Sequence, residues 1–214
     1  MKKLLAAAAL AALSIGSANA ATVTQSAPLV LDTTEINQSF SFNQFDASLG
    51  TLTSVLINLD GRAVSSASFE NNAAQPQNFS FASTLNLFLD NAAAGISDQL
   101  SLELFNYPRQ LTALGLTDLG SVDKTDTLSL TAANLAAFIG NGTTTFTCES
   151  GVSNTQNGGG GNIVVTQSTS AGCGLSVVYT YDVPTPPPAN VPEPASMALV
   201  GLGMMGLAAI RRRK

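Results

Sequence analysis

Apolar and polar residues alternate through most of this chain, and the alternation gives way to unbroken apolar runs only near its two ends. SFSFNQFD (39–46) sets Phe40 and Phe42 two apart, on one side of a strand. TLTSVLINLDG (51–61) mixes Leu52 and Leu56 with β-branched Thr51, Thr53, Val55 and Ile57, then offers Asp60-Gly61 as a turn. NFSFASTLNLFLD (78–90) repeats the pattern with Phe79, Phe81, Leu85, Leu87 and Leu89. QLSLELFNYP (99–108) puts Leu100, Leu102, Leu104 and Asn106 on one face. Shorter strand signals lie at 21–27, 126–131, 143–150, 162–169 and 175–183. Such closely spaced short runs with turn residues between them predict an all-β fold, a jelly-roll-like β-sandwich. TAANLAAFIGNG (131–142) breaks the rule, with Leu135, Phe138 and Ile139 at helical spacing between Thr131 and Gly140. It predicts one short helix. SGVSNTQNGGGGN (150–162) reads as a loop with a mobile tip, since four consecutive glycines hold one conformation at high entropic cost.

The two ends carry a different code. Met1-Lys2-Lys3, apolar Leu4–Ile15 and the A-x-A site Ala18-Asn19-Ala20 form a signal peptide over 1–20, with cleavage between Ala20 and Ala21. An exported domain then fills 21–183, and PTPPPAN (184–190) is a Pro-rich, semi-rigid linker. After Val191-Pro192-Glu193-Pro194, residues 195–210 hold no charge and Arg211, Arg212, Arg213 and Lys214 close the chain. As a helix, 195–210 is about 24 Å long against a hydrocarbon core of about 30 Å, a gap that snorkelling arginines or local thinning absorbs. The expectation is a single transmembrane helix with the basic stop on the cytoplasmic side and the domain outside.

Export changes how the cysteines read. Cys148 and Cys173 are the only two, and an oxidising compartment favours a disulfide between them. Charge narrows the partners. Between Ala21 and Asn190 only Arg62, Arg109 and Lys124 are basic against thirteen acidic residues, a net of −10, which repels nucleic acid. Catalytic chemistry finds few parts. With no His, neither a Ser-His-Asp nor a Cys-His arrangement can form, and no enzyme is expected. The sole lysine of the domain, Lys124, sits in sequence between Asp123 and Asp126, which keep it charged and solvated. No cofactor is expected; calcium is the one metal considered, through Asp46, Asp60, Asp118, Asp123 and Asp126, placed in or beside turns, although no D-x-D-x-D-G loop occurs. The sequence pattern of N-glycosylation occurs at Asn37, Asn78 and Asn141. Thr143-Thr144-Thr145-Phe146-Thr147 is a short threonine run that strand propensity accounts for.

The tail resembles the PEP-CTERM sorting signal of Gram-negative bacteria, through Val191-Pro192-Glu193-Pro194, apolar Ala195–Ile210 and Arg211–Lys214 in that order. The resemblance implies an exosortase as partner, an integral-membrane, cysteine transpeptidase-like enzyme that removes such tails and passes proteins to the cell surface or exopolysaccharide matrix. The same segment carries the family label "ice-binding protein C-terminal", which describes a shared tail and implies no ice binding. The domain is similar to the choice-of-anchor E domain, through Phe45-Asp46, Leu49-Gly50-Thr51-Leu52, Leu59-Asp60-Gly61 and LAAFIGNGTTTFT (135–147). That resemblance spans about 22–183 and implies a β-rich exported domain with no activity attached.

Three functions stay open on sequence. One is a non-enzymatic surface or matrix protein of biofilm or exopolysaccharide, held first as a membrane-anchored precursor with a periplasmic domain and then released by exosortase. A second is a surface carbohydrate-binding module. In the third, the prolines merely stop a helix and the tail is a permanent membrane anchor.

Overall fold

The computed structural model describes residues 20–184 and Leu202, so the signal segment, most of the linker, and the PEP and transmembrane segments lie outside the described residues. The compact unit is Ser17–Val183. Its strands are β1 (Ala20–Ala27), β2 (Asp32–Thr33), β3 (Asn37–Asn43), β4 (Thr51–Asn71), β5 (Gln77–Asn91), β6 (Ile96–Leu111), β7 (Leu116–Thr131), β8 (Thr143–Gly158) and β9 (Ile163–Asp182). One sheet runs β1-β9-β4-β7, with β2 also on β9; the other runs β3-β8-β5-β6, and every strand pairing is antiparallel. The chain changes sheet at nearly every connection and turns back within one sheet only between β5 and β6. That strand order is a jelly roll.

The predicted strands are present but most are longer than the sequence suggested. β4 has 21 residues and β9 has 20, about 65 to 70 Å of extended chain each. The long strands fade in the sequence because their inward positions become small. Along β4 the buried row continues from Val55, Ile57 and Leu59 into Gly61, Ala63, Ser65 and Ala67 before Phe69, so the contrast with the outer row disappears. The expected turn at Asp60-Gly61 is therefore mid-strand. Gly61 sits under the second sheet, where an added Cβ would come within 2.6 Å of both Leu87 and Leu100. Likewise the runs 162–169 and 175–183 are one strand, β9, whose Gly172 and Gly174 leave room for the chain at Leu29 and Val30 to pass over them.

Two further expectations are corrected. The helix over 131–142 shrinks to one 3₁₀ turn, Leu135–Phe138, because Thr131 still belongs to β7 and Ile139 leaves in an extended conformation to bridge Phe45. The apolar spacing serves a plug: Phe138 is fully buried against Phe146 and Tyr179, whereas Ile139 is exposed. The loop over 150–162 is mostly strand. β8 runs to Gly158, held by main-chain pairing to β5 from Asp90↔Thr147 to Phe79↔Gly158. Its far half shows no apolar alternation because Ser153–Gly158 face solvent on both sides. Only the turn remains, and Gly158, Gly159, Gly160 and Gly161 all have φ between +56° and +89°, the region where a side chain is disfavoured. In β6 a bulge opposite Ser83/Thr84 turns both Leu104 and Phe105 inward and leaves Asn106 exposed.

The core between the sheets divides by chemistry along its length. One end is aromatic, with Phe42, Phe45, Phe138, Phe146 and Tyr179; leucines of β5 and β6 fill the middle; Phe69, Phe79, Phe81 and Phe105 pack the other end. Between them runs a buried polar seam. The Gln167 side-chain amide donates to Ser65 and Ser83 at 3.1 and 2.9 Å, and the Ser65 and Thr169 hydroxyls meet at 2.7 Å, linking β4, β9 and β5. Satisfied polar groups of this kind fix the register of the strands that carry them.

Candidate functional site

The polarity of the domain follows from its pairings. Ala20 pairs with Asp182, and Thr51 pairs with Asp182 from the other side, so the first and last strands lie together at one end. Ala20, the expected cleavage position, opens β1; a chain cut there keeps the pair Ala21↔Tyr181. The opposite end holds the β4–β5, β6–β7 and β8–β9 connections, some 60 Å away along β9.

Cys148 of β8 and Cys173 of β9 form a disulfide that joins the two sheets through the middle of the core, and both are fully buried. Beside it, inward-facing Gln38 bridges a gap that β1 leaves in the sheet. Its amide accepts from the Cys173 N–H at 3.1 Å and donates to the Val30 carbonyl at 2.9 Å.

Each aspartate considered for calcium is engaged singly. Asp46 caps the 3₁₀ turn Ala47–Leu49 by accepting from the Ser48 N–H at 2.8 Å, and this hydrogen bond holds its carboxyl below the usual range. Asp60 accepts from the Thr127 hydroxyl at 2.8 Å, Asp118 from the Gly120 N–H at 2.8 Å and Asp126 from the Thr127 N–H at 2.8 Å. Only Asp46 keeps a turn setting; Asp60 lies within β4 and the other three within β7. Asp123 does not serve Lys124. Strand alternation places it on the outer face against Arg62, which donates from Nε at 3.0 Å and from Nη2 at 2.6 Å. That bidentate bond lowers the Asp123 carboxyl and raises the guanidinium. Among the described residues no three His, Cys, Asp or Glu side chains converge on a point that could hold a metal ion.

Tyr179 is the strongly perturbed titrating group of the domain. It is 1% exposed, its hydroxyl donates to the Asn43 carbonyl at 2.9 Å, and burial pushes its pKa up to about 12. This bond ties β9 to the end of β3 and is structural.

The sequence did not reveal a cleft of about 410 Å³ on the second sheet, at the end away from the Ala20↔Asp182 pair. Its walls are Asn78 and Ser80 of β5, Pro108, Arg109 and Gln110 of β6, and Asn157 of β8. Register explains their meeting: Ser80 pairs with both Asn157 and Pro108, and Asn78 pairs with Gln110. Gly158 lets β8 approach the Asn78 carbonyl more closely than any side chain would allow. The Arg109 guanidinium stands 5.9 Å from the centre of the Tyr107 ring. Residues so far apart in sequence announce no shared site; the one available signal was Arg109, one of only three basic residues in the domain.

The sorting residues Val191, Pro192, Glu193 and Pro194 and the stop Arg211, Arg212, Arg213 and Lys214 lie outside the described residues, as does 195–210 apart from Leu202. Among the described residues no helix is long and apolar enough to cross a membrane. Comparison with family models decides what this end is. Residues 190–214 match the PEP-CTERM protein-sorting motif. A PEP-CTERM motif is the recognition signal of exosortase and implies export, membrane-associated processing and surface sorting. No curated protein matches the chain. Among solved structures, the chain is similar to the structure of infectious bursal disease virus Gx strain at 12% identity, over 74% of this chain and 37% of that one, with TM-score 0.22. It is similar to the infectious bursal disease virus VP2 subviral particle at 13% identity, over 74% and 37%, with TM-score 0.21. The Gt strain structure gives 13%, 96%, 53% and 0.19. The chain thus spans about a third to a half of the viral chains it matches.

Proposed function

We propose that this chain is a non-enzymatic surface or extracellular-matrix protein of an exopolysaccharide or biofilm setting, delivered by exosortase through Val191-Pro192-Glu193-Pro194. The observation that carries the reading is the PEP-CTERM match over 190–214. Its order of parts, an extended Pro-Glu-Pro, an apolar stretch and a basic stop, suits a peptide offered to a membrane enzyme at the outer face of the bilayer. The domain adds support. A disulfide-linked jelly roll with most of its charges acidic is suited to an oxidising exterior. The absence of His from the whole sequence supports a non-catalytic role. The resemblance of 22–183 to choice-of-anchor E domains points the same way.

The test is genetic and chemical together. Replacing Pro192, Glu193 and Pro194 by alanine in the native host should leave the precursor in the inner membrane and remove the protein from the surface fraction. Deleting the exosortase should do the same. Unchanged surface delivery in both strains would overturn the reading.

A further inference from the structure

The cleft at the end of the domain away from Ala20 and Asp182 gathers uncharged polar side chains from three neighbouring strands. Elsewhere on the outer face of their sheet some polar side chains are spent on neighbours, while Asn43 and Asn106 are open to solvent. Gln99 donates to Asn86 and Ser101 at 3.0 and 2.8 Å, Ser101 donates to Asn86 at 2.8 Å, and Asn37 donates to Glu149 at 2.8 Å. In the cleft, the side chains of Asn78, Ser80, Gln110 and Asn157 make no hydrogen bond to any other described residue. Three primary amides and a hydroxyl therefore converge with their donors and acceptors unspent.

We propose that this cleft binds a segment of a neutral oligosaccharide. A primary amide offers two donors and an acceptor, and adjacent sugar hydroxyls each donate and accept, so the two match without any ionic group. Pro108 supplies apolar surface for the C–H face of a sugar ring. The volume of about 410 Å³ suits a few sugar units rather than a long groove. Charge selects among ligands. The lining holds no carboxylate, which disfavours a cation, and the domain's net −10 repels a polyanion despite the single Arg109.

The site is also held in shape. Buried Asn71 donates its side-chain amide to the Thr112 carbonyl at 2.8 Å and its backbone N–H to Gly115 at 2.9 Å, and the Asn72 N–H reaches the Asn162 carbonyl at 2.9 Å. All three connections at this end are tied together before a ligand arrives, which lowers the cost of binding. This inference rests on the exported-surface reading and gives that surface a ligand class. The two fail separately, since sugar binding is measured on a chain whose tail processing is not at issue.

The test is titration calorimetry with the full-length chain in detergent, against neutral tetra- to hexasaccharides of glucose, galactose and mannose, and against uronic-acid oligosaccharides of equal length. Binding of at least one neutral series is expected, with Gln110→Ala and Asn157→Ala each weakening it about tenfold, the effect of one good hydrogen bond. Asn86→Ala, on the same face but outside the cleft, should leave it unchanged. All three sites are on the surface, and an unchanged melting temperature verifies the fold. No binding to any neutral series, binding unaffected by the cleft variants, or binding confined to uronic acids and abolished by Arg109→Ala would each overturn the proposal.

Discussion

Tyr179 holds its proton to about pH 12 in the folded chain, while an unfolded tyrosine releases it near pH 10. The folded pKa is raised, so the stabilisation is whole below pH 10 and is lost as pH climbs through 12. Chemical denaturation between pH 9 and 12 should show stability falling by at most about 1.4 kcal/mol per pH unit over that window. Tyr179→Phe should flatten this fall and cost about 1 kcal/mol at neutral pH, because the Asn43 carbonyl loses its donor. Gly61 makes a steric prediction. Gly61→Val drives a side chain into Leu87 and Leu100 and should cost about 1–3 kcal/mol or more in thermal unfolding. At this scale the sequence was read unevenly. The pairing of Cys148 with Cys173 was legible from their number and compartment. Gly61 was misread as a turn because a glycine required by packing looks the same in sequence as one required by backbone angle. Asp123 was assigned to Lys124 by adjacency, whereas strand alternation sends the two to opposite faces and gives Asp123 to Arg62.

The disulfide connects elements of different sheets, β8 and β9, across 25 residues. On the chain-entropy estimate its loss costs about 3.5 kcal/mol. Replacing both Cys148 and Cys173 by alanine should therefore lower the melting temperature by roughly 7–14 °C for a domain of this size. An unchanged melting temperature would show that the sheets are held without it. The 3₁₀ turn Leu135–Phe138 makes a parallel case. Phe138→Ala empties the space between Phe146 and Tyr179 and should cost about 3–5 kcal/mol, while Ile139→Ala on the exposed side should cost far less. Strands were legible wherever large apolar residues alternate, as in β5. They were hidden where the inner row is Gly, Ala and Ser, as in the later part of β4. They were hidden also where pairing alone holds the strand, as in the far half of β8. The helix failed for a related reason: spacing recorded that Leu135 and Phe138 point to one side but not that a single turn suffices to do it.

Across the whole molecule, the sorting motif at 190–214 and the all-β fold class were the most legible features. The PEP motif and basic stop are contiguous in sequence, so nothing about folding hides them. The jelly roll could be anticipated from strand count, but its order depends on pairings over more than a hundred residues, such as Phe40 with Phe146. The cleft was illegible for the same reason, since Asn78, Gln110 and Asn157 come together only through the register of β5 with its two neighbours. Within the domain, Ala20 and Asp182 pair at one end and the candidate sugar site lies at the other. If the tail is a processed sorting signal, the intact mass of the mature protein purified from its native host will record it. Loss of residues 1–20 and of everything beyond about Pro194 is expected, with any added mass at the new C-terminus revealing the attached group. A mature protein that retains Ala195 to Lys214 would contradict this reading and make the tail a permanent anchor.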